Sequence, residues 1–439
     1  MIGTGYLGAT HAAAMAFLGF EVLGVDVDES KVRSLTEGTV PFFEPGLQDL
    51  VRAGIAAGTL RFTTSLDEAA DFGDVHFVCV GTPQAAGSNA ADLRFVDAAI
   101  VGLAARINRP ALIVGKSTVP VGTATRLRDT IRRTNALVDL AWNPEFLREG
   151  HAIADTLHPD RLVFGVATDS AQLRLETVYA QLISDGVPVV IADLPTAVLV
   201  KVAANAFLAT KISYINAMAE VCEAAGADVT VLAQALSYDG RIGGKFLKPG
   251  LGFGGGCLPK DIRAFAHRAE ELGVGRAVAF LHEVDDINQR RRLRTVDLIR
   301  ELAGGDLTGV RIAALGAAFK PDSDDVRDAP ALDVARMLYL EGAIVSVYDP
   351  EANANAHRAY PDLTFASSMG EALLGANVVA LLTEWDQFRQ ADPDLMGFLV
   401  ADRRIVDGRH ALDADSYRAN GWEYRALGRP AAVKVPVSR

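Results

Sequence analysis

Three glycines open the chain at a spacing that leaves few choices of fold. Gly3-Thr4-Gly5-Tyr6-Leu7-Gly8 runs into an apolar, alanine-rich stretch from Ala9 to Leu18, and then into an apolar run that ends in Val25-Asp26. The first glycine allows a tight turn, the second lets a ligand approach the backbone, and the third lets a helix pack closely on a strand. A helix that starts inside such a turn aims its unpaired N–H groups and the positive end of its dipole at whatever lies over Gly5, which suits a pyrophosphate. Asp26 falls where a carboxylate meets the 2′-hydroxyl of an adenosine ribose. The segment reads as a dinucleotide site of the Rossmann type, with Gly3, Gly5, Tyr6, Leu7, Gly8 and Asp26 around the cofactor. A 2′-phosphate beside Asp26 would meet like charge, a repulsion on the order of 4 kcal/mol at about 4 Å and an effective dielectric of about 20. NAD is therefore expected over NADP, although Lys31 and Arg33 lie close by in sequence.

The same motif raises a difficulty. Such a turn needs a strand before it, and only Met1 and Ile2 precede Gly3. That strand belongs at the centre of the sheet, so its loss would expose the hydrogen-bonding edges of its neighbours. A natural start several residues upstream of Met1 is the expectation.

Beyond the glycines, short apolar runs alternate with amphipathic stretches. Glu21–Val27, Val75–Val80, Ala111–Val114 and Val138–Ala141 read as strands with helices between them, the signature of a parallel α/β sheet. A further strand-helix-strand pattern (Arg161–Val166, Ala171–Leu182, Pro188–Ile191) ends near Leu194-Pro195, after which Thr196–Ala225 is helical. Ala266–Ala303 reads as another long helix, stopped by Gly304-Gly305. Strands return at Arg311–Leu315, Ile344–Tyr348, Val378–Leu382 and Arg404–Val406. The expected fold class is α/β: two Rossmann-like α/β domains (1–195 and 304–427) joined by an all-helical segment (196–303), with a loose tail over 428–439.

Composition narrows the function. A formal net charge of -12 disfavours phosphate-backbone binding, so a nucleic-acid partner is not expected. The three cysteines, Cys79, Cys222 and Cys257, offer neither a disulfide framework nor metal-ligand spacing. No apolar run of about 18 uncharged residues is present and Met1 leads directly into the glycine motif, so a soluble cytoplasmic protein without metal or membrane partner is expected.

Cys257 lies in Phe253-Gly254-Gly255-Gly256-Cys257-Leu258-Pro259-Lys260-Asp261, just ahead of a helical pattern in which Pro259 suits the first turn. A helix N-terminus favours thiolate, and the glycines admit a ligand to the backbone. Asp261, four residues on, shares the face of Cys257. A small buried filler is the plainer reading of a lone cysteine, and Cys79 and Cys222 receive it. Two other segments bear on the chemistry. Lys201 and Asn205 stand one turn apart in an apolar helical pattern, where a lysine must be paired, exposed or working. Asn143-Pro144-Glu145-Phe146-Leu147-Arg148-Glu149 follows a strand, where α/β sheets present ligand loops; either glutamate taken alone reads as a solvated loop charge.

Together these segments resemble the UDP-glucose/GDP-mannose dehydrogenases, and their UDP-glucose branch most of all. The ordered set spans the chain: the opening glycines, Gly81-Thr82-Pro83, Ser117-Thr118-Val119-Pro120, the Asn143–Gly150 segment, Lys201 with Asn205, Arg241-Ile242-Gly243, the Gly252–Asp261 segment, Phe319-Lys320 with Arg327, Thr383–Asp386 and Asp407-Gly408-Arg409. The resemblance implies a central helical dimerisation domain and NAD-dependent, four-electron oxidation of UDP-glucose to UDP-glucuronate through a thiohemiacetal and thioester on Cys257. It assigns catalysis to Cys257, Lys201, Asn205, Asp261, Glu145 and Thr118. It puts Lys31, Thr82, Thr118, Glu149 and Arg327 on the NAD side. The substrate side takes Glu145, Phe146, Leu147, Lys201, Asn205, Arg241, Phe246, Lys248, Gly250, Phe253, Gly254, Lys320 and Arg409, with Arg241 reaching the neighbouring subunit of a homodimer. Gly256 stands where the family usually has Ser. The competing readings are a sibling enzyme acting on GDP-mannose or a UDP-N-acetylhexosamine, a two-electron 2-hydroxyacid dehydrogenase using only a Lys-Asn pair, and an inactive nucleotide-sugar or NAD-binding regulator.

Overall fold

The residues ahead of the glycine turn do occupy the centre of a sheet. In the computed structural model of the chain, which describes residues 1–430, Ile2 bridges in parallel to both Val25 and Val78. Ile2 N–H donates to Phe77 O and its carbonyl accepts from Cys79 N–H, each at 2.7 Å, while Gly3 N–H donates to Val25 O at 2.7 Å and Val25 N–H to Met1 O at 2.8 Å. The edges expected to lie exposed are thus paired beside the turn, where the ligand-binding end of such a sheet lies.

The chain divides into two units, Met1–Ala204 with Arg263–Arg276, and Asn205–Ile262 with the described part of Ala277–Arg439. In the first, the strands Leu60–Thr63 and Val22–Val25 lie on one side of Ile2. Val75–Val78, Ala111–Gly115, Val138–Trp142, Leu162–Gly165 and Val189–Ala192 follow on the other. The pairings between these strands are parallel except that of Trp142 with Gly165. That antiparallel pair departs from the all-parallel expectation. The strand Ala111–Gly115 is buried along its whole length, which is why it reads as a continuous apolar run rather than an alternation. Gly115 ends it because a Cβ there would sit 2.3 Å from the Trp142 ring.

The second unit holds a six-stranded parallel sheet in the order Thr364–Phe365, Ile344–Tyr348, Arg311–Leu315, Val378–Leu381, Arg404–Asp407, Glu423–Ala426. The strands Leu60–Thr63, Thr364–Phe365 and Glu423–Ala426 escape the sequence reading because they are short or alternate with polar residues at sheet edges. Two long helical expectations also change. Ala171–Leu182 breaks at Tyr179 into Asp169–Val178 and Ala180–Ser184. The stretch Ala266–Ala303 is two helices, Leu258–Glu271 and Phe280–Ala303, because Gly273, at φ 75, turns the chain into the left-handed region that stops the first of them.

The helix Leu194–Ala225 is long and apolar enough to cross a membrane by length and composition alone. It also buries Lys201, Asn205, Ser213 and Asn216, and Ser213 and Asn216 bond backbone groups of the second unit, as in a helix that packs within a protein. Of the expected loose tail, Gly428 and Arg429 are tied down: Gly428 N–H donates to Glu223 at 2.7 Å and Arg429 to Asp228 at 2.9 Å. Residues 431–439 lie outside the described residues.

Candidate active site

The three glycines of the turn differ in their surroundings as their spacing requires. Gly3 has φ 87 and a Cβ there would lie 2.8 Å from Val80, while one at Gly8 would lie 1.7 Å from Gly3 O. At Gly5 a Cβ would meet nothing within 4 Å, so the middle glycine faces open space where a phosphate can approach. Gly5 caps the helix Tyr6–Phe17 without any side-chain cap, which leaves the helix N-terminus to an anion. Leu7, like Met1, packs against the buried cluster that includes Phe77, Cys79 and Leu112. These features fit NAD.

Asp26 follows the strand Val22–Val25, and one of its oxygens accepts from Thr4 N–H at 2.9 Å, Thr4 Oγ1 at 3.1 Å and Lys31 Nζ at 2.9 Å. The other accepts from Asp28 N–H at 3.1 Å. Burial, the largest influence, pushes this carboxyl up, but Lys31 and the Thr4 and Asp28 amides outweigh it and hold it below the usual range. Lys31 is thus engaged with Asp26. Thr82 Oγ1 donates to Thr118 O at 2.8 Å, which ties together the two loops that follow the strands Val75–Val78 and Ala111–Gly115.

The Asn143–Gly150 loop is held from several sides. Glu145 accepts from Leu147 N–H at 2.9 Å and pairs with Lys201 at 2.9 Å. The Phe146 ring lies under the Arg161 guanidinium, 3.8 Å from its centroid. Glu149 is buried. At the far end, Glu44 accepts from Gly150 N–H at 2.6 Å and Ala152 N–H at 2.7 Å, and from the Tyr6 hydroxyl. Tyr6 therefore links the glycine helix to this loop, a role beyond the cofactor contact expected of it.

In the second unit, Cys257 is exposed and immediately precedes the helix Leu258–Glu271, with Asp261 N–H donating to Cys257 O at 3.0 Å. Cys79 and Cys222 are buried, and burial pushes the Cys79 thiol up to about 11, as befits filler. Asp261 is 3% exposed; it accepts from Asn205 Nδ2 at 2.7 Å and from Lys260. Lys201 and Asn205, one helical turn apart, each bond a carboxylate, Lys201 Nζ pairing with Glu145 and Asn205 Nδ2 donating to Asp261.

The turn before Cys257 is built for glycine. A Cβ at Gly254 would lie 2.2 Å from Asp328 O and 2.6 Å from Pro330, one at Gly255 2.9 Å from the Phe319 ring, and one at Gly256 2.2 Å from the Arg327 guanidinium carbon. Phe253 exchanges bonds with Asn288 at 2.8 and 2.9 Å, and Gly250 N–H donates to Asn216 at 2.9 Å. Arg409 donates to Leu382 O, Gly252 O and Phe319 O at 2.7, 3.1 and 3.1 Å, so it braces this turn. Lys320 Nζ lies 5.6 Å from the Phe319 ring centroid. Phe246 adopts φ 61, a conformation that costs a bulky residue energy and that clusters at ligand sites. Lys248 and Arg241 are exposed, and Arg241 forks onto Asp239 at 2.7 Å.

Sequence reading missed Glu44, Lys116, Asn216 and Asn288, all buried polar groups. Lys116, a charge directly behind the apolar run Ala111–Gly115, and Glu44, between Phe43 and Pro45, were the available signals.

Comparison with known proteins agrees with this geometry. Residues 1–183 match the NAD binding domain of the UDP-glucose/GDP-mannose dehydrogenase family, 195–290 its central domain and 313–414 its UDP binding domain. The chain is 40% identical over 434 residues to UDP-glucose 6-dehydrogenase of Rhizobium meliloti, covering 98% of this chain and 99% of that protein. It is 38% identical over 435 residues to UDP-glucose 6-dehydrogenase TuaD of Bacillus subtilis, covering 98% and 93%. A solved UDP-glucose dehydrogenase from Pyrobaculum islandicum superimposes with a TM-score of 0.88 at 35% identity, covering 98% of this chain and 96% of that one.

Proposed function

The chain belongs to the UDP-glucose/GDP-mannose dehydrogenase family, and from that premise we propose that it oxidises UDP-glucose to UDP-glucuronate with NAD through a covalent intermediate on Cys257. The observation that carries this reading is the buried helix turn bearing Lys201 and Asn205, each bonded to a carboxylate, Glu145 and Asp261, from a segment assigned to catalysis.

NAD, when bound, accepts a hydride from the sugar C6 in each of two oxidations. The residues manage protons and bonds. Lys201 takes the C6 hydroxyl proton or stabilises the oxyanion as it develops, with Asn205 as a second donor. The Cys257 sulfur adds to the aldehyde carbon, forming a C–S bond while the carbonyl oxygen gains a proton. The helix behind Cys257 favours the thiolate this requires. Loss of the second hydride and the hydroxyl proton leaves a thioester. Water then attacks the acyl carbon, the C–S bond breaks and Cys257 leaves as the thiol. Glu145 is the base for that water, with Thr118 and Asp261 ordering it.

The remaining assignments follow the same premise. Gly3, Gly5, Tyr6, Leu7, Gly8, Asp26, Lys31, Thr82, Thr118, Glu149 and Arg327 serve NAD, while Phe246, Lys248, the Gly250–Gly254 turn, Lys320 and Arg409 serve the nucleotide sugar. The domains are taken as 1–195 for NAD, 196–303 for dimerisation and 304–427 for the UDP-sugar. Homodimerisation is supported by Phe207, Tyr214 and Val221, exposed at seven-residue intervals on the helix Leu194–Ala225 at 66%, 50% and 56%. Such a stripe repeats along one helix face and invites a partner. Arg241, exposed and forked onto Asp239, would complete the neighbouring subunit's site. A cytoplasmic location is part of this reading.

The test is stoichiometry and choice of substrate. With excess NAD the purified protein should form two NADH and one UDP-glucuronate per UDP-glucose. One NADH per sugar, or faster turnover of GDP-mannose or UDP-N-acetylglucosamine, would contradict it.

A further inference from the structure

Beneath the root of the Asn143–Gly150 loop lies a buried polar cluster that the reaction above does not use. Lys116 follows directly on the strand Ala111–Gly115 and is 6% exposed. Its ammonium donates to Asn143 Oδ1 at 2.8 Å and to the Tyr179 hydroxyl at 3.4 Å, and that hydroxyl donates to the same Asn143 oxygen at 2.7 Å. Asn143 Nδ2 donates to Val163 O at 3.0 Å and its backbone N–H to Gly115 O at 2.9 Å. The Phe77 and Tyr179 rings flank the ammonium at 5.7 and 5.9 Å. Both polar atoms of the Asn143 side chain are therefore engaged from below, and Pro144, with its fixed φ, is the one residue between it and Glu145.

A buried lysine is costly to keep charged. Burial brings Lys116 down from 10.5 to about 8, and Glu145 is among the charges that resist the fall while Lys201 adds to it. A core that needed only volume here would be served by Met, without an ammonium to satisfy. We propose that Lys116 is a positioning residue for Glu145: by holding Asn143 it fixes the start of the loop so that the Glu145 carboxylate meets the water that cleaves the thioester. This rests on the reading of Glu145 as that base. Since misplacement of a reacting group by about 1 Å costs on the order of 10²-fold in rate, the effect should fall on hydrolysis and leave the oxidations standing.

The test is a double-mutant cycle read by rapid mixing. Lys116→Met, with saturating UDP-glucose and NAD, should release close to two NADH per subunit in a burst and then turn over about 10- to 100-fold more slowly than the unaltered protein. In a Glu145→Gln background the same change should alter the steady rate by less than about 2-fold, because coupled residues do not add. Should Lys116→Met fail to fold, Tyr179→Phe removes one of the two donors to Asn143 Oδ1 at constant volume and should show a smaller loss that also vanishes in Glu145→Gln. A full-sized effect persisting in Glu145→Gln, or a loss of the burst itself, overturns the proposal. Near-normal turnover of Glu145→Gln alone would instead defeat the reading of Glu145 and take the proposal with it.

Discussion

Lys201 Nζ stands 2.9 Å from Glu145 Oε1, with side chains only 7% and 12% exposed. The pair joins the group read as stabilising the developing C6 oxyanion to the group read as activating the water. Each neutralises the other, which is how two buried charges persist away from water.

Breaking that pair from one side leaves an uncompensated buried charge. Lys201→Met should lower stability by roughly 3–5 kcal/mol and turnover by about 10²- to 10⁴-fold. Combining it with Glu145→Gln should recover most of the stability and none of the activity. Denaturant unfolding beside steady-state kinetics separates the two effects; a double variant no more stable than Lys201→Met would count against the pair.

Asp26 is held ionised by Lys31 and by the Thr4 and Asp28 amides against the opposing effect of burial. Asp26→Ala should raise KM for NAD by about 10- to 150-fold, the worth of one charge-assisted hydrogen bond, and should improve the ratio of NADP to NAD use. An unchanged ratio of kcat/KM for the two cofactors would remove Asp26 from the choice.

The glycines before Cys257 differ in what opposes a side chain. At Gly254 the obstacle is the Asp328 carbonyl and the Pro330 ring, which no rotamer relieves. Gly254→Ala should therefore cost roughly 1–3 kcal/mol by overpacking and most of the activity. At Gly256 the obstacle is the end of the Arg327 side chain, which can swing away. Gly256→Ser should change stability by less than about 1 kcal/mol and act mainly on KM for NAD through Arg327. Equal thermal shifts for the two would contradict this.

Lys116 gives stability a pH signature. Its native value of about 8 lies below the ordinary 10.5, so between those values the unfolded chain holds a proton that the native chain has released. Stability therefore rises with pH through that window, and below it both states are protonated and the burial cost is present in full. Cys79, raised by burial from 9.0 to about 11, acts in the opposite sense above about pH 9, and it and Tyr179, which burial also pushes up, are common to both proteins compared. His11 is held neutral by burial and by Lys116 itself. Glu145 and Lys201 lie nearby and are common to both proteins compared. The difference in unfolding free energy between the unaltered protein and Lys116→Met should move in favour of the former by up to roughly 3 kcal/mol from about pH 8 to about pH 10. A flat or opposite trend would contradict the buried ammonium.

Much of this arrangement was legible because its cues are local. The glycine spacing, the fully buried strand Ala111–Gly115 and the Cys257 helix start each declare themselves within a few residues. Lys116, Asn143 and Tyr179 meet across 27 to 63 positions of chain, and Glu44 reaches Ala152 across 108; a period-based reading sees a charge at the end of an apolar run and takes it for the start of a loop. The pairing of Ile2 at the centre of the first sheet escapes a sequence reading for a related reason. A strand is recognised by length, whereas pairing beside the turn needs only the few backbone groups that Met1, Ile2 and Gly3 supply. Lys201 and Asn205 were correctly found as neighbours, but helix spacing does not say which way each side chain turns.

The central claim is the covalent step at Cys257, and the most direct measurement is the steady formation of UDP-glucuronate by Cys257→Ser, with NAD and UDP-glucose binding measured in parallel by calorimetry. Binding should stay within a few-fold of that of the unaltered protein and net product formation should fall by at least about 10³-fold, since the serine hydroxyl is a poor nucleophile at its free pKa. Steady turnover near the normal rate, with both ligands still bound, would contradict the covalent step.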